Sequence, residues 1–163
     1  MSPEKYPTDP ILTDLEKTFP EYIVDTKVEK NRRLWAEIKS EGLMEIMKYL
    51  YSKGFDHLSL ISGMDYGDKL GIVYHLWSYS KRRVLQINMK IPKEDPVVPS
   101  LTSIWRSADW HERETYDLMG ITFEGHPNLK RIYLPDDWEG HPLRKDVKLK
   151  PPGWFREKRE EEG

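Results

Sequence analysis

The chain has 163 residues, 37% apolar and 33% charged, with a net charge of −2, enough for one hydrophobic core under a surface of mixed sign. That balance excludes the concentrated basic face a nucleic-acid binder needs. The complete absence of cysteine excludes a disulfide framework, a thiolate nucleophile and any cysteine-held zinc or iron–sulfur cluster in this chain.

The first ten residues hold Pro3, Pro7 and Pro10 and read as a loose arm, and Met1 to Thr8 has no apolar h-region. Asp9-Pro10 has the form of an N-cap followed by proline at the first helical position. Ile11, Leu12, Leu15 and Phe19 then recur at helical spacing until Pro20. Glu21 to Val28 and Arg33 to Lys39 read as paired strands joined through a polar turn at Glu29, Lys30 and Asn31. Ser40 is placed to cap a second helix, whose apolar face is Leu43, Ile46, Met47 and Leu50 and whose end is Gly54.

Three strands are expected next, over Phe55–Ile61, Leu70–Ser80 and Arg83–Ile91. The last sets Leu85, Ile87, Met89 and Ile91 against Val84, Gln86, Asn88 and Lys90, so it has one core face. The middle one is apolar on both sides, as for a central strand or one covered by a partner. Gly63, Gly67 and Gly71 fall together as a turn and match neither the Rossmann nor the P-loop spacing. A linker spans Pro92–Pro96, and Ser103–Met119 reads as a helix closed by Gly120. Beyond Ile121 no long periodicity exists, so that stretch is expected to be extended, with Trp138, Trp154 and Phe155 as anchors on another chain.

The expected fold is therefore α+β: a mixed or antiparallel sheet with two packed helices, followed by a helix and a long extended C-terminal arm. The corresponding divisions are a core domain at 1–91, a linker and helix at 92–120, and a partner-binding arm at 121–163.

His111-Glu112 invites a zinc-peptidase reading, but position 115 is threonine, and the motif needs its second histidine there. A metal site drawn from His111, Glu114, His126 and His141 stays open as an alternative, as does an adaptor using the same residues. On the helix, Ala108, Glu112, Thr115 and Met119 share one side. Arg113 and Asp117 lie on the other, at the spacing of an i,i+4 ion pair. If Glu112 is buried it needs a donor, and Arg131 or Arg144 has the fork to supply one. The alternative is a solvated helix with ordinary pairs.

Glu112-Arg113-Glu114, then Asp117-Leu118-Met119, His126, Lys130 and Arg131-Ile132-Tyr133 resemble the signature of the respiratory-chain NADH dehydrogenase 30 kDa subunit family. The flanks agree: Pro99-Ser100-Leu101, Trp105, Ala108-Asp109-Trp110, Phe123 to Pro127, Asp137-Trp138 and Gly140 to Asp146. The resemblance is dense over residues 99–146, whereas residues 1–90 share only the layout. It implies a cofactor-free scaffold subunit in the hydrophilic arm of a complex I-like assembly. The partners it implies are a large hydrogenase-like, 49 kDa-type subunit and a small subunit bearing iron–sulfur clusters, with nickel–iron in a hydrogenase relative. It implies no nucleic acid, and contact with the membrane only through the complex, at its cytoplasmic side. Glu112, Arg113, Glu114, Asp117, Gly120, His126, Pro127, Lys130, Arg131, Trp138, His141 and Arg144 would build the partner interface and pin the arm. The family's acceptors include quinone, protons, sulfane sulfur and coenzyme F420-linked chemistry. The modest length and the Lys/Glu-rich composition, with a single glutamine, lean toward a thermophilic archaeal hydrogenase or sulfane reductase. The stretch Gly140 to Asp146 leans toward quinone-type complexes.

Overall fold

The computed structural model describes residues 9–30 and 33–147. The expectations for the N-terminal arm, for Asn31, and for Trp154 and Phe155 fall outside those residues.

The first helix, α1 (Pro10–Thr18), starts as its sequence dictates: the Asp9 carboxylate accepts from the Ile11 N–H at 2.9 Å and proline occupies the first turn. It buries Leu12 and Leu15. The strands β1 (Ile23–Lys30) and β2 (Arg33–Ile38) pair antiparallel. Ser40 does not cap the next helix. A single 3-10 turn at Ser40–Gly42 intervenes, and α2 (Leu43–Ser52) begins behind Gly42 with no side-chain cap. Its far end is a Schellman closure: Gly54 takes φ +88°, its N–H donates to the Tyr51 carbonyl, and the Phe55 N–H donates to Leu50.

The meander β3 (His57–Asp65), β4 (Lys69–Ser78) and β5 (Arg83–Pro92) completes a five-stranded mixed sheet in the order β1-β2-β5-β4-β3, with only β2 and β5 parallel. The doubly apolar β4 is an interior strand, as its composition suggests. Leu34, Ala36, Ile38, Leu70, Ile72, Tyr74, Leu85, Ile87 and Met89 are buried on one face under α1 and α2. The other face carries the polar ladder His75–Gln86–Asn88 beside the half-buried Trp35 and Trp77. Of the three clustered glycines only Gly67 lies in the turn. Gly63 and Gly71 are strand residues, and a Cβ on Gly63 would stand 2.7 Å from the Met119 side chain.

After the sheet, β6 (Val97–Pro99) pairs parallel with β7 (Thr122–Glu124), and between them runs α3 (Ala108–Met119), packed along β3. The helix starts later than the sequence suggests. Residues 101–107 form successive turns that push Leu101 and Trp105 into the core. Val98, Leu101, Trp105, Ala108, Met119, Ile121 and Phe123 join the same hydrophobic cluster as the sheet, so the core runs through the expected division at residue 92. From residue 125 to 147 the chain is a succession of turns, but it is not detached. It doubles back along α3.

Candidate functional site

The residues singled out by sequence converge on α3, whose polar groups bind three separate segments of the chain to it.

Toward the linker, Glu112 is completely buried. Its Oε2 accepts from the Ser100 hydroxyl and its Oε1 from the Leu101 N–H, both at 2.6 Å. Burial pushes the carboxyl up to about 7, against the pull of those two donors. Neither expected arginine reaches it. Arg131 is held by Asp117, and Arg144 lies at the far end of the helix.

Asp117, expected on the outer face, is also buried. It pairs with Arg131 at 2.9 Å instead of with Arg113. Its Oδ2 accepts the successive N–H groups of Ile132, Tyr133 and Leu134, at 3.0, 2.8 and 3.1 Å. Burial alone would raise this carboxyl. The three N–H groups and Arg131 outweigh it and hold Asp117 below the ordinary aspartate value. Arg113 instead stacks on Trp110 and donates to the carbonyls of Lys130 and Arg131.

The last turn of α3 is capped by the returning chain. Gly120 adopts φ +68° and closes the helix with its N–H on Tyr116. The orphan carbonyls that follow each find a donor: Asp117 from His141 Nδ1 at 2.9 Å, Leu118 from the Leu143 N–H, and Met119 and Gly120 from Arg144. A carbonyl only accepts, so His141 carries its proton on Nδ1. Burial, followed by the fields of Arg131 and Arg144, lowers its pKa despite the carbonyl it faces. The Arg144 guanidinium also meets the negative end of the helix dipole. Beyond it, the Lys145 N–H donates to Asp65 in the β3–β4 hairpin, where Gly67 and Lys93 donate to the same carboxylate. These backbone and lysine donors, with the Lys145 and Gly67 N–H groups foremost, hold Asp65 down to about 2.

His126 sits at the other end of α3. Its Nδ1 accepts from the Asn128 N–H at 3.0 Å, and its Nε2 donates to the Asp109 carbonyl at 3.2 Å. His126 and His141 are thus held at opposite ends of the helix and do not converge on a metal. No group of three or more metal-binding side chains occurs among the described residues. Glu114 lines a shallow groove with Leu60, Leu118 and Leu143, Pro127 and Lys130 are at least partly exposed, and Trp138 is half-buried in a turn closed on Pro135. Sequence reasoning placed Ser100 and Lys145 only in the flanks of the family resemblance, without a role, and passed over Asp65. Asp65 directly before a Tyr-Gly turn was the one signal in reach, because a hairpin aspartate commonly binds the backbone two residues on.

The fold is an α+β domain whose buried carboxylates and His141 hold the linker and a return segment against one helix. The model of the respiratory-chain NADH dehydrogenase 30 kDa subunit matches residues 36–152, and the chain belongs to that family. It is 42% identical over 140 residues to a subunit of the F(420)H(2) dehydrogenase of Methanosarcina mazei, covering 83% of this chain and 89% of that one. It is 39% identical over 150 residues to a subunit of the NADH-quinone oxidoreductase of Salinispora tropica, covering 86% of this chain, and 52% identical over 97 residues to its counterpart from Chloroherpeton thalassium, covering 58%. The chain spans 61% and 40% of the length of these two relatives. Among solved structures, a trypsin-resistant fragment of Nqo5 aligns with TM-score 0.63 at 33% identity, over 73% of this chain and 98% of the fragment. A chain of the membrane-bound sulfane sulfur reductase, an archaeal respiratory membrane complex, shares the fold with TM-score 0.77 at 22% identity, over 92% of this chain and 89% of that chain. No helix among the described residues is long and apolar enough to cross a membrane.

Proposed function

We propose that this chain is a non-catalytic scaffold subunit in the hydrophilic arm of a complex I-like oxidoreductase. In this reading it docks on a large hydrogenase-like subunit beside a cluster-bearing small subunit, at the cytoplasmic side of the membrane and attached only through the complex. Iron–sulfur clusters, and nickel–iron in a hydrogenase setting, belong to those partners. The assembly passes electrons to quinone, protons or sulfane sulfur and couples that flow to ion translocation. The Lys/Glu-rich, glutamine-poor composition supports a thermophilic source. The observation that carries the reading is the use of the family signature: Glu112, Asp117, Arg131, His141 and Arg144 bind the chain to itself. That leaves Trp110, Tyr133 and Leu143, exposed at 64, 63 and 58%, around α3. Large side chains of this kind are typical anchors for a partner. A tagged full-length chain purified from its source organism is expected to bring down a large hydrogenase-like subunit and an iron-containing small subunit. The pure chain is expected to be colourless. Stoichiometric iron or flavin in the pure chain, or recovery without the large subunit, overturns the proposal.

A further inference from the structure

We propose that Glu112, backed by His126, is a proton-operated latch: it holds residues 99–105 against α3 while Glu112 carries its proton and releases them when Glu112 ionises. This rests on the chain alone and does not depend on the assembly proposed above.

The carboxyl has no solvent exposure, and no lysine or arginine among the described residues pairs with it. The groups that face it come from each packed element. Asp109 on its own helix adds a like charge. Tyr74 from β4 offers a buried phenol whose own pKa is raised well above the usual tyrosine value by burial, then by Glu112. The linker contributes only a hydroxyl and a backbone N–H. His126, after β7, has Nε2 4.0 Å from Glu112 Oε2 and 3.5 Å from Asp109 Oδ1. Its Nδ1 accepts from the Asn128 N–H and its Nε2 donates to the Asp109 carbonyl, so both ring nitrogens are engaged away from Glu112. An ionised Glu112 would therefore be a buried charge with two neutral donors and no lysine or arginine counter-charge among the described residues, a state disfavoured in a folded interior.

The neutral acid, in contrast, is fully satisfied once the 2.6 Å contact to Ser100, in which the carboxylate accepts, reverses its direction. In that state the Oε2–H donates to Ser100 Oγ, which accepts a second time from the Thr102 N–H at 3.2 Å and turns its own hydrogen to Thr102 Oγ1 at 2.8 Å. The Leu101 N–H stays on Oε1. The segment so held has its other clip at the Ser100 N–H, on the Glu124 carbonyl at 2.8 Å, and buries Leu101 and Trp105. Because burial raises the folded-state value, the latch is at full strength below the ordinary glutamate range and weakens as pH rises through about 7.

The test is hydrogen exchange of the full chain at pH 6 and pH 8.5, read as the ratio of the intrinsic rate of an unprotected amide to the observed Leu101 rate at each pH. That ratio is expected to fall about tenfold at the higher pH, the effect of one proton released over one unit. In Glu112→Gln, which keeps an acceptor for Leu101 and loses the titration, the ratio is expected to stay flat. An unchanged ratio in the native chain, or the same fall in the variant, overturns the latch. Should the variant not fold, carbon-13 titration of the Glu112 carboxyl in the native chain decides: a midpoint near 7 supports the latch, and one in the ordinary glutamate range overturns it.

Discussion

Asp117 meets four donors with two oxygens: Arg131 on one and three consecutive backbone N–H groups on the other. Asp117 is fully buried, and the three amides have no other described acceptor, whereas Arg131 also donates to the Gly140 carbonyl at 3.3 Å. Replacing it with asparagine substitutes an NH2 group for one acceptor and removes the charge, leaving Arg131 without its carboxylate or the three amides unsatisfied. Breaking a buried charge pair of this kind costs about 3 kcal/mol. Urea unfolding of Asp117→Asn at pH 7 is expected to show a loss of that size. The sign with pH follows from the lowered pKa: its stabilisation is present above the ordinary aspartate value and is lost as pH falls through the still lower folded value. The gap between native and variant should therefore narrow toward pH 3. A gap that stays constant, or is absent at pH 7, shows that the amides find other acceptors. Nothing local in the sequence announces this residue. A helical wheel offers Asp117 only Arg113, one turn away, whereas its real partners arrive 14 to 17 residues later through a stretch with no periodicity. Glu112 was legible in part. The wheel groups it with Ala108, Thr115 and Met119, all buried, but its donors come from the linker, which the wheel cannot see.

The helix α3 would be a poor element alone. Its start, at Ser107, has no side-chain cap, its outer face is charged, and a 12-residue helix is marginal in water. It persists because other segments satisfy its ends. Gly120 is the pivot, since its left-handed φ lets the chain turn back and its missing Cβ leaves room for the His141 ring, which packs directly on it. A Cβ there strains the backbone by about 1 kcal/mol and displaces the ring, at a further cost of about 1 kcal/mol for the His141 hydrogen bond. For a chain of this size the sum corresponds to a melting temperature about 4 to 8 °C lower in Gly120→Ala. Thermal unfolding followed by circular dichroism checks it, and an unchanged midpoint means that His141 does not pack as described. Gly120 was visible in the sequence as a helix stop, and so were the proline-led start of α1, the alternation of β5 and the glycine end of α2. Each is a local signal read within a few residues. The late start of α3 and the pairing of β6 with β7 were not visible, because tertiary burial of Leu101 and Trp105 decides the first and a partner 25 residues away decides the second.

At the scale of the molecule, residues 125–147 behave as a strap, clipped at Asp117, at the last turn of α3 and at Asp65. The sequence shows this stretch as irregular and proline-bearing, which is correct for its secondary structure but silent on its attachment. Backbone groups that bind side chains far along the chain leave no periodic trace. Attachment changes what shortening the chain should do. Ending it after Leu134 keeps the Asp117 cradle but removes His141, Leu143 and Arg144, so the carbonyls of residues 117 to 120 lose their described donors, and Asp65 loses the Lys145 N–H. Ending it after Val147 removes none of these. The two truncations should therefore separate stability from assembly. The chain ending at Val147 keeps the His141, Leu143, Arg144 and Lys145 bonds and is expected to melt well above the chain ending at Leu134, yet to recover less of the large subunit than the full chain on purification from cells. The chain ending at Leu134 is expected to melt well below both. If the Val147 chain is as unstable as the shorter one, residues 148–163 belong to the folded domain. If it assembles as well as the full chain, docking rests on the surface around Trp110 and Tyr133 instead of on the tail.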